Sequence, residues 1–219
     1  MFKMNEGQIY SNRREAGKLL GEKLKSIVGS DAIVLSLPRG GTIVGDEVAK
    51  ILDADHDLVI SRKIGAPYDP EVAIGALTQD GRVLKDDSII DTLVVTKGYI
   101  ESQTRLQLKE IKRQLKEYKG GKCFPIILNK TTILIDDGLA TGFTMEAALE
   151  YVRSFGPSRI IVAVPVGSLD AIRKMEQKAD QVVCPLIPKK FWAVGQFYQE
   201  FHQVSDEEIK KIFREQGDT

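Results

Sequence analysis

Apolar positions in this chain fall into two spacings. Residues 32–37, 57–61, 132–135, 159–164 and 181–184 are short runs rich in aliphatic and β-branched side chains, the signature of strands buried on both faces. Between them the apolar positions recur at helical intervals. Ala16, Leu19, Leu20, Leu24, Ile27 and Val28 predict a helix over 11–28 with Ser11 as its N-cap. Similar patterns predict helices over 42–52, 145–155 and 169–178, the second of these closed off by Gly156-Pro157. A longer helix over 99–118 has Thr104, Leu108, Ile111 and Leu115 as its apolar edge. Residues 72–77 and 82–84 read as a hairpin across Gln79-Asp80-Gly81, after a turn at 66–70. Strands alternating with helices predict an α/β domain, a parallel sheet with helices on both faces.

Composition narrows the class without naming a function. The 219 residues are 42% hydrophobic and 28% charged, and 31 Lys and Arg balance 31 Asp and Glu. No global basic field points to nucleic acid, although Lys97, Arg105, Lys109, Lys112, Arg113, Lys116, Lys119 and Lys122 make the long helix locally basic. Cys123 and Cys184 lie far apart without a CxxC, and His56 and His202 have no metal-ligand spacing. The opening MFKMNEGQIY lacks a signal-like apolar core and no apolar run reaches bilayer length, so the expectation is a cytoplasmic protein with no membrane partner.

The chemistry concentrates at 131–145, TTILIDDGLATGFTM. The strand delivers Asp136 and Asp137 at its C-terminal end, and Gly138 to Thr144 turn the chain into a helix. The first turn of a helix offers unpaired amides and a favourable dipole to an anion, so a phosphate fits there; the carboxylates beside it call for hydroxyls or a hard cation. A sugar phosphate with Mg²⁺ meets both demands. A second strand–glycine–helix unit is Leu37-Pro38-Arg39-Gly40-Gly41, and Ser61-Arg62-Lys63-Ile64-Gly65 ends a third strand in two cations. Glu71 is a carboxylate just after a turn, with nothing in the sequence to assign it a role. The stretch 185–205 crowds Phe191, Trp192, Phe197 and Tyr198, which suits a core or a cap over a planar ligand.

The 131–145 segment resembles the signature of the type I phosphoribosyltransferases: a hydrophobic strand, two acids, two residues, then a small residue, Thr, Gly, any residue and Thr. The resemblance spans most of residues 30–200. It implies a three-layer α/β/α fold with strand order 3-2-1-4-5-6 and one antiparallel strand. A single domain over 1–219 would have its core at about 30–185 and a hood at about 185–205 with N-terminal residues. Ala140, Thr141, Gly142, Phe143 and Thr144 would hold the 5-phosphate of phosphoribosyl pyrophosphate (PRPP). Asp136 and Asp137 would contact the ribose hydroxyls, either directly or through Mg²⁺. Arg39, Gly40, Gly41, Arg62 and Lys63 would bind the pyrophosphate, Lys63 ahead of Arg62, with a cis Pro38–Arg39 bond by analogy. Asp136, Asp137, Arg39 and Lys63 are thus the expected catalytic set.

The long helix stands where the family keeps a loop that closes over the reaction. Pro188-Lys189-Lys190-Phe191 and Val194-Gly195 resemble the hood of the 6-oxopurine enzymes, which makes Lys190, Phe191 and Trp192 candidates for the nucleobase. Ala140, however, stands where those enzymes carry an acid, so the acceptor base is left open. The expected partners are PRPP and a small nitrogenous acceptor, and the family implies a homodimer. The alternatives are a PRPP- or nucleotide-sensing regulatory protein and transfer to a non-nucleobase acceptor.

Overall fold

The computed structural model describes residues 9–70 and 72–215; Glu71 lies outside the described residues. Five parallel strands form the central sheet, in the order β2 (Asp55–Leu58), β1 (Ala32–Ser36), β6 (Thr131–Ile135), β7 (Arg159–Ala163), β8 (Gln181–Val183). β1 and β6 run side by side with Ser36 opposite Ile135, so the loops that follow them open onto the same end of the sheet.

Both faces of the sheet are buried, as uninterrupted aliphatic runs require. Ile33, Leu35 and Leu134 join one core cluster with Met145, Leu149 and Val152 of α5 (Phe143–Arg153) and Ala171, Ile172 and Met175 of α6 (Leu169–Glu176). Val34, Ile133 and Ile135 point the other way, onto Leu20 and Leu24 of α1 (Arg13–Leu24) and Val44 and Val48 of α2 (Gly40–Leu52). Each such side chain contributes about 1.5–3 kcal/mol by leaving water, which makes the sheet a stiff frame for its loops.

Two details differ from the sequence reading. The antiparallel pairing is not in the central sheet: β3 (Arg62–Gly65), β4 (Ala73–Leu77) and β5 (Val83–Lys85) make a separate three-stranded sheet. The separation has a local cause. The Val59 amide still donates to the Ser36 carbonyl, but the Ile60 amide donates to Gln79 Oε1 and the Ser61 hydroxyl to the Thr144 carbonyl, so the chain leaves the ladder before Arg62. The N-cap of α1 is Asn12 rather than Ser11, because the Asn12 side chain reaches the Glu15 amide while Ser11 bonds the Glu15 carboxylate.

The long helix is α4 (Lys97–Lys119), a continuous element of 23 residues capped by Thr96 and reached through the short α3 (Asp87–Thr92). Together with α7 (Asp206–Glu215) it builds a third core cluster, where Ile111 and Tyr118 meet Ile209, Ile212, Leu58 and Leu77. Among the described residues no helix is long and apolar enough to cross a membrane.

Candidate functional site

A cavity of about 450 Å³ opens at the C-terminal end of the central sheet. Its walls are Leu37 and Pro38 after β1, Ser61, Arg62, Lys63 and Gly65 around β3, Asp136 after β6, Thr144 of α5, and Tyr99, Gln103 and Gln107 of α4. Loops that stand far apart in the sequence are therefore brought to one place.

The two glycines after Arg39 let this happen. A β-carbon on Gly40 would collide with Asp137 Oδ2 and lie 2.9 Å from Arg13 Nε; one on Gly41 would sit 2.8 Å from Asp136 Cα. Only glycine permits such an approach of the α2 N-terminus to the acidic pair. The Pro38–Arg39 bond in this loop is cis.

Asp136 and Asp137 have different surroundings. Asp136 faces the cavity, and its Oδ1 accepts the Asp137 amide at 2.8 Å. Asp137 is turned to Arg13, whose Nε is 2.7 Å from Asp137 Oδ2. Arg13 is itself fixed from two more sides: it donates to the His202 carbonyl and lies 3.8 Å over the Phe201 ring. The Tyr198 hydroxyl donates to the Asp137 carbonyl at 2.6 Å. Burial pushes the Asp136 carboxyl well above the usual carboxylate range, and the adjacent charge of Asp137 adds to the rise. Burial raises Asp137 as well, with Arg13 pulling against it.

Helix caps mark the same place. Side chains cap α1, α3, α4 and α6 through Asn12, Asp86, Thr96 and Ser168, and Ser205 Oγ accepts the Glu208 amide at the start of α7. The N-termini of α2 and α5, which follow the RGG and ATGFT loops, have no side-chain cap. Their N-cap positions are Arg39 and Gly142, and Gly142 has φ +82°, a conformation that favours glycine. Two amide-rich, positive helix ends thus follow neighbouring strands, and neither is closed by a capping side chain. Within the second loop Ala140 and Thr141 are exposed, whereas Phe143 and Thr144 are half-buried. Lys174 Nζ lies 4.1 Å over the Phe143 ring, which holds the first turn of α5 against α6.

The other expected residues divide. Arg62 and Lys63 both line the cavity, and Arg62 Nε is held by Gln107 Oε1 at 3.0 Å. The Arg39 guanidinium points elsewhere, 3.8 Å from Asp206 Oδ1 at the start of α7. Lys190, Phe191 and Trp192 are not among the cavity walls: Lys190 is exposed, Trp192 is 87% exposed, and Phe191 packs on Phe197 at 5.4 Å. The residues of this stretch that reach the motif are Tyr198, through its hydroxyl on the Asp137 carbonyl, and Val194, against which a β-carbon on Gly138 would lie at 2.5 Å. The stretch is anchored to the N-terminal segment, as the Tyr10 amide donates to the Phe197 carbonyl and the Gln199 amide to that of Tyr10.

Sequence reasoning did not select Arg13, Tyr198, Asp206 or the α4 residues. Tyr99, Gln103 and Gln107 recur every four residues, a polar stripe on one helix face, and this was the one signal available. Among the described residues no group of three or more His, Cys, Asp or Glu is arranged to hold a metal.

The model of the phosphoribosyl transferase domain matches residues 5–202. A Mycobacterium tuberculosis protein, Rv0571c, provisionally named a phosphoribosyl transferase, is 38% identical over 203 residues. That match takes in 92% of this chain and 46% of the other, so the chain spans about half the length of the curated relatives it matches. The crystal structure of TT1426 from Thermus thermophilus superposes with a TM-score of 0.79 at 36% identity, covering 95% of this chain and 99% of that one. The purine phosphoribosyltransferase of Pyrococcus horikoshii shares the fold, with a TM-score of 0.50 at 15% identity over 90% of this chain and 98% of that one. With most of its length matched by the family model, and with a mostly parallel sheet that places the family's motif at the mouth of the cavity, the chain belongs to the phosphoribosyl transferase family.

Proposed function

We propose that this chain is a Mg²⁺-dependent phosphoribosyltransferase that moves the ribose 5-phosphate of PRPP onto a nitrogenous base and releases pyrophosphate. The observation that carries this reading is a pair of helix N-termini without side-chain caps, α5 lining with Thr144 the cavity that Asp136, Arg62 and Lys63 also line, and α2 packed against Asp136 through Gly41 just behind the cavity wall at Pro38. PRPP is a ligand with a phosphate at one end, a pyrophosphate at the other and hydroxyls between them. The α5 N-terminus suits the 5-phosphate, with Thr141 and Thr144 adding hydroxyls, and the α2 N-terminus with Arg62 and Lys63 suits the pyrophosphate.

The division of the acidic pair fits the ribose. Asp137 is engaged by Arg13, which leaves Asp136 as the carboxylate on the cavity side. A carboxyl whose ionised form is disfavoured by burial and by a like charge gains most from an arriving hydroxyl donor or cation. One carboxylate together with substrate oxygens is also the usual protein contribution to Mg²⁺. When bound, Mg²⁺ supplies positive charge near the leaving pyrophosphate. As the anomeric bond breaks, positive charge builds on the ribose and negative charge moves to the leaving group, so the chain's own work is positioning and electrostatics. Tyr99, Gln103 and Gln107 form the α4 wall of the cavity.

A PRPP- or nucleotide-sensing regulator acting through nucleic acid is the weaker reading, because two cations of the basic helix are already engaged: Arg113 by Glu110, Glu117 and Asp206, and Lys119 by Asp57 at 2.6 Å. Pyrophosphate release from PRPP with Mg²⁺, run with purine, pyrimidine and nicotinate-type acceptors and with none, tests the proposal. Release that depends on an acceptor is the expected result. Its failure with every acceptor class, in a folded protein, would overturn transfer to a nucleobase.

A further inference from the structure

Asp206 lies in α7, beyond the 5–202 span that the family model matches, yet it touches the RGG loop. Its carboxylate is held rigidly. Oδ1 accepts the Tyr118 hydroxyl at 2.5 Å, Oδ2 accepts Arg113 Nη1 at 3.1 Å, and Arg39 Nη1 stands 3.8 Å from Oδ1. Tyr118 and Arg113 hold its carboxyl below the usual carboxylate range, so the charge is present at neutral pH. Arg113 does not cancel that charge, because the same guanidinium is already bound to both Glu110 and Glu117. Glu207 and Glu208, which follow Asp206 in the first turn of α7, turn to Lys210 and to Ser205 and His202, whereas Asp206 itself faces the loop.

We propose that Asp206 is the resident counter-anion of Arg39, and that pyrophosphate, whether free or as part of PRPP, competes with it for that arginine. The inference rests on the proposed function in taking the incoming ligand to be a pyrophosphate seated at the α2 N-terminus, where Arg39 is the N-cap residue. The separation of 3.8 Å exceeds hydrogen-bond length and the two side chains are 34% and 28% exposed, so the contact is loose enough to exchange. Asp206 is therefore a positioning residue. It fixes where the guanidinium waits, and it weakens ligand binding by the like charge that it sets beside the ligand's own.

Calorimetric titration with inorganic pyrophosphate and Mg²⁺ tests this on the wild type, on Asp206→Asn and Asp206→Glu, and on Arg39→Gln with and without Asp206→Asn. Asp206→Asn keeps the shape and an acceptor for Tyr118, and it is expected to bind pyrophosphate about fivefold more tightly, about 1 kcal/mol. Asp206→Glu returns the affinity to near the wild-type value, and the gain vanishes in the Arg39→Gln background. An unchanged or weaker affinity in folded Asp206→Asn, or a gain that survives Arg39→Gln, would overturn the inference while leaving the proposed function standing. A wild-type protein that binds neither pyrophosphate nor PRPP would remove both.

Discussion

Two adjacent aspartates with the same sequence signature carry different energetic burdens, and substitution separates them. Asp136 has a raised pKa in the folded chain, so its contribution to stability is present at low pH and is lost as pH rises through the folded value. A carboxyl held above its ordinary range costs folding stability at pH 8, so Asp136→Asn is expected to melt at a higher temperature than the wild type while losing about 100-fold or more in PRPP turnover. Asp137→Asn should do the opposite to stability. It leaves the buried guanidinium of Arg13 without its carboxylate, at a cost of about 3 kcal/mol. Thermal melts of both variants at pH 8, paired with turnover, check the contrast; equal melting temperatures would mean that the two acids share one role. His56 supplies a separate pH dependence. Its ring on β2 is 2.8 Å from Ser36 Oγ, and burial lowers its pKa to about 4, with Lys50 adding to the fall and Asp46 opposing it. Between its unfolded value near 6.5 and that folded value, the unfolded chain takes up a proton that the folded chain refuses. The stability is thus complete above the unfolded value and is lost as pH falls towards the folded one. Urea unfolding at pH 7.5 and pH 5.0 should show the wild type losing about 2 kcal/mol relative to His56→Gln, a comparison in which the opposite contribution of Asp136 cancels.

At the scale of elements, the site depends on loops distant in sequence lying flush against one another. Gly138 meets Val194 of the C-terminal stretch, and a β-carbon there would fall 2.5 Å and 2.7 Å from the two Val194 methyls. Gly142 has more room, since its nearest neighbour would be Met175 Cε at 3.5 Å, and its constraint is the backbone φ of +82°. Gly138→Ala is therefore expected to destabilise by about 1–3 kcal/mol through overpacking and to be restored in part by Val194→Ala. Gly142→Ala should cost about 1 kcal/mol with no rescue from Val194. Melting temperatures of the two singles and of each paired with Val194→Ala decide this. Much of this scale is legible in the sequence. The runs at 32–37 and 132–135 read as strands buried on both faces, and the acids and glycines after them mark the mouth of the cavity. What stays hidden are contacts between distant segments. Arg13 looks like any charged residue in the first turn of a helix, yet it reaches Asp137, 124 residues on. Arg39 points at Asp206 rather than into the cavity, because nothing local to LPRGG encodes the helix that lies beside it. Crowded aromatics at 191–198 could not be ordered either, since Phe197 and Tyr198 turn inward beside Tyr10 while Trp192 turns out.

For the molecule as a whole, the question is whether α7 is an appendage or part of the domain. Its apolar residues, Ile209, Ile212 and Phe213, recur at helical spacing after an acidic first turn, so the helix itself is readable from the sequence. Its importance is not, because that follows from what it covers. Val204, Ile209 and Ile212 are almost fully buried, in the cluster that also holds Leu58 and Ile60 at the end of β2, Leu77 of the hairpin and Ile111 and Tyr118 of α4. Of these elements, α4 presents the Tyr99, Gln103 and Gln107 stripe to the cavity, and β4, which carries Leu77, pairs with β3 and its Arg62 and Lys63. Three buried aliphatic side chains at about 1.5–3 kcal/mol each amount to roughly 5–9 kcal/mol. A typical domain has about 5–15 kcal/mol of net stability. Removing residues 204–219 is therefore expected to leave a chain that does not hold its third core cluster, although it keeps every residue that the family model matches. Far-UV circular dichroism and a thermal melt of residues 1–203 would test this. Loss of the cooperative transition is the expected outcome, while a melt like that of the full chain would make α7 a dispensable addition whose one effect on the site is the charge of Asp206.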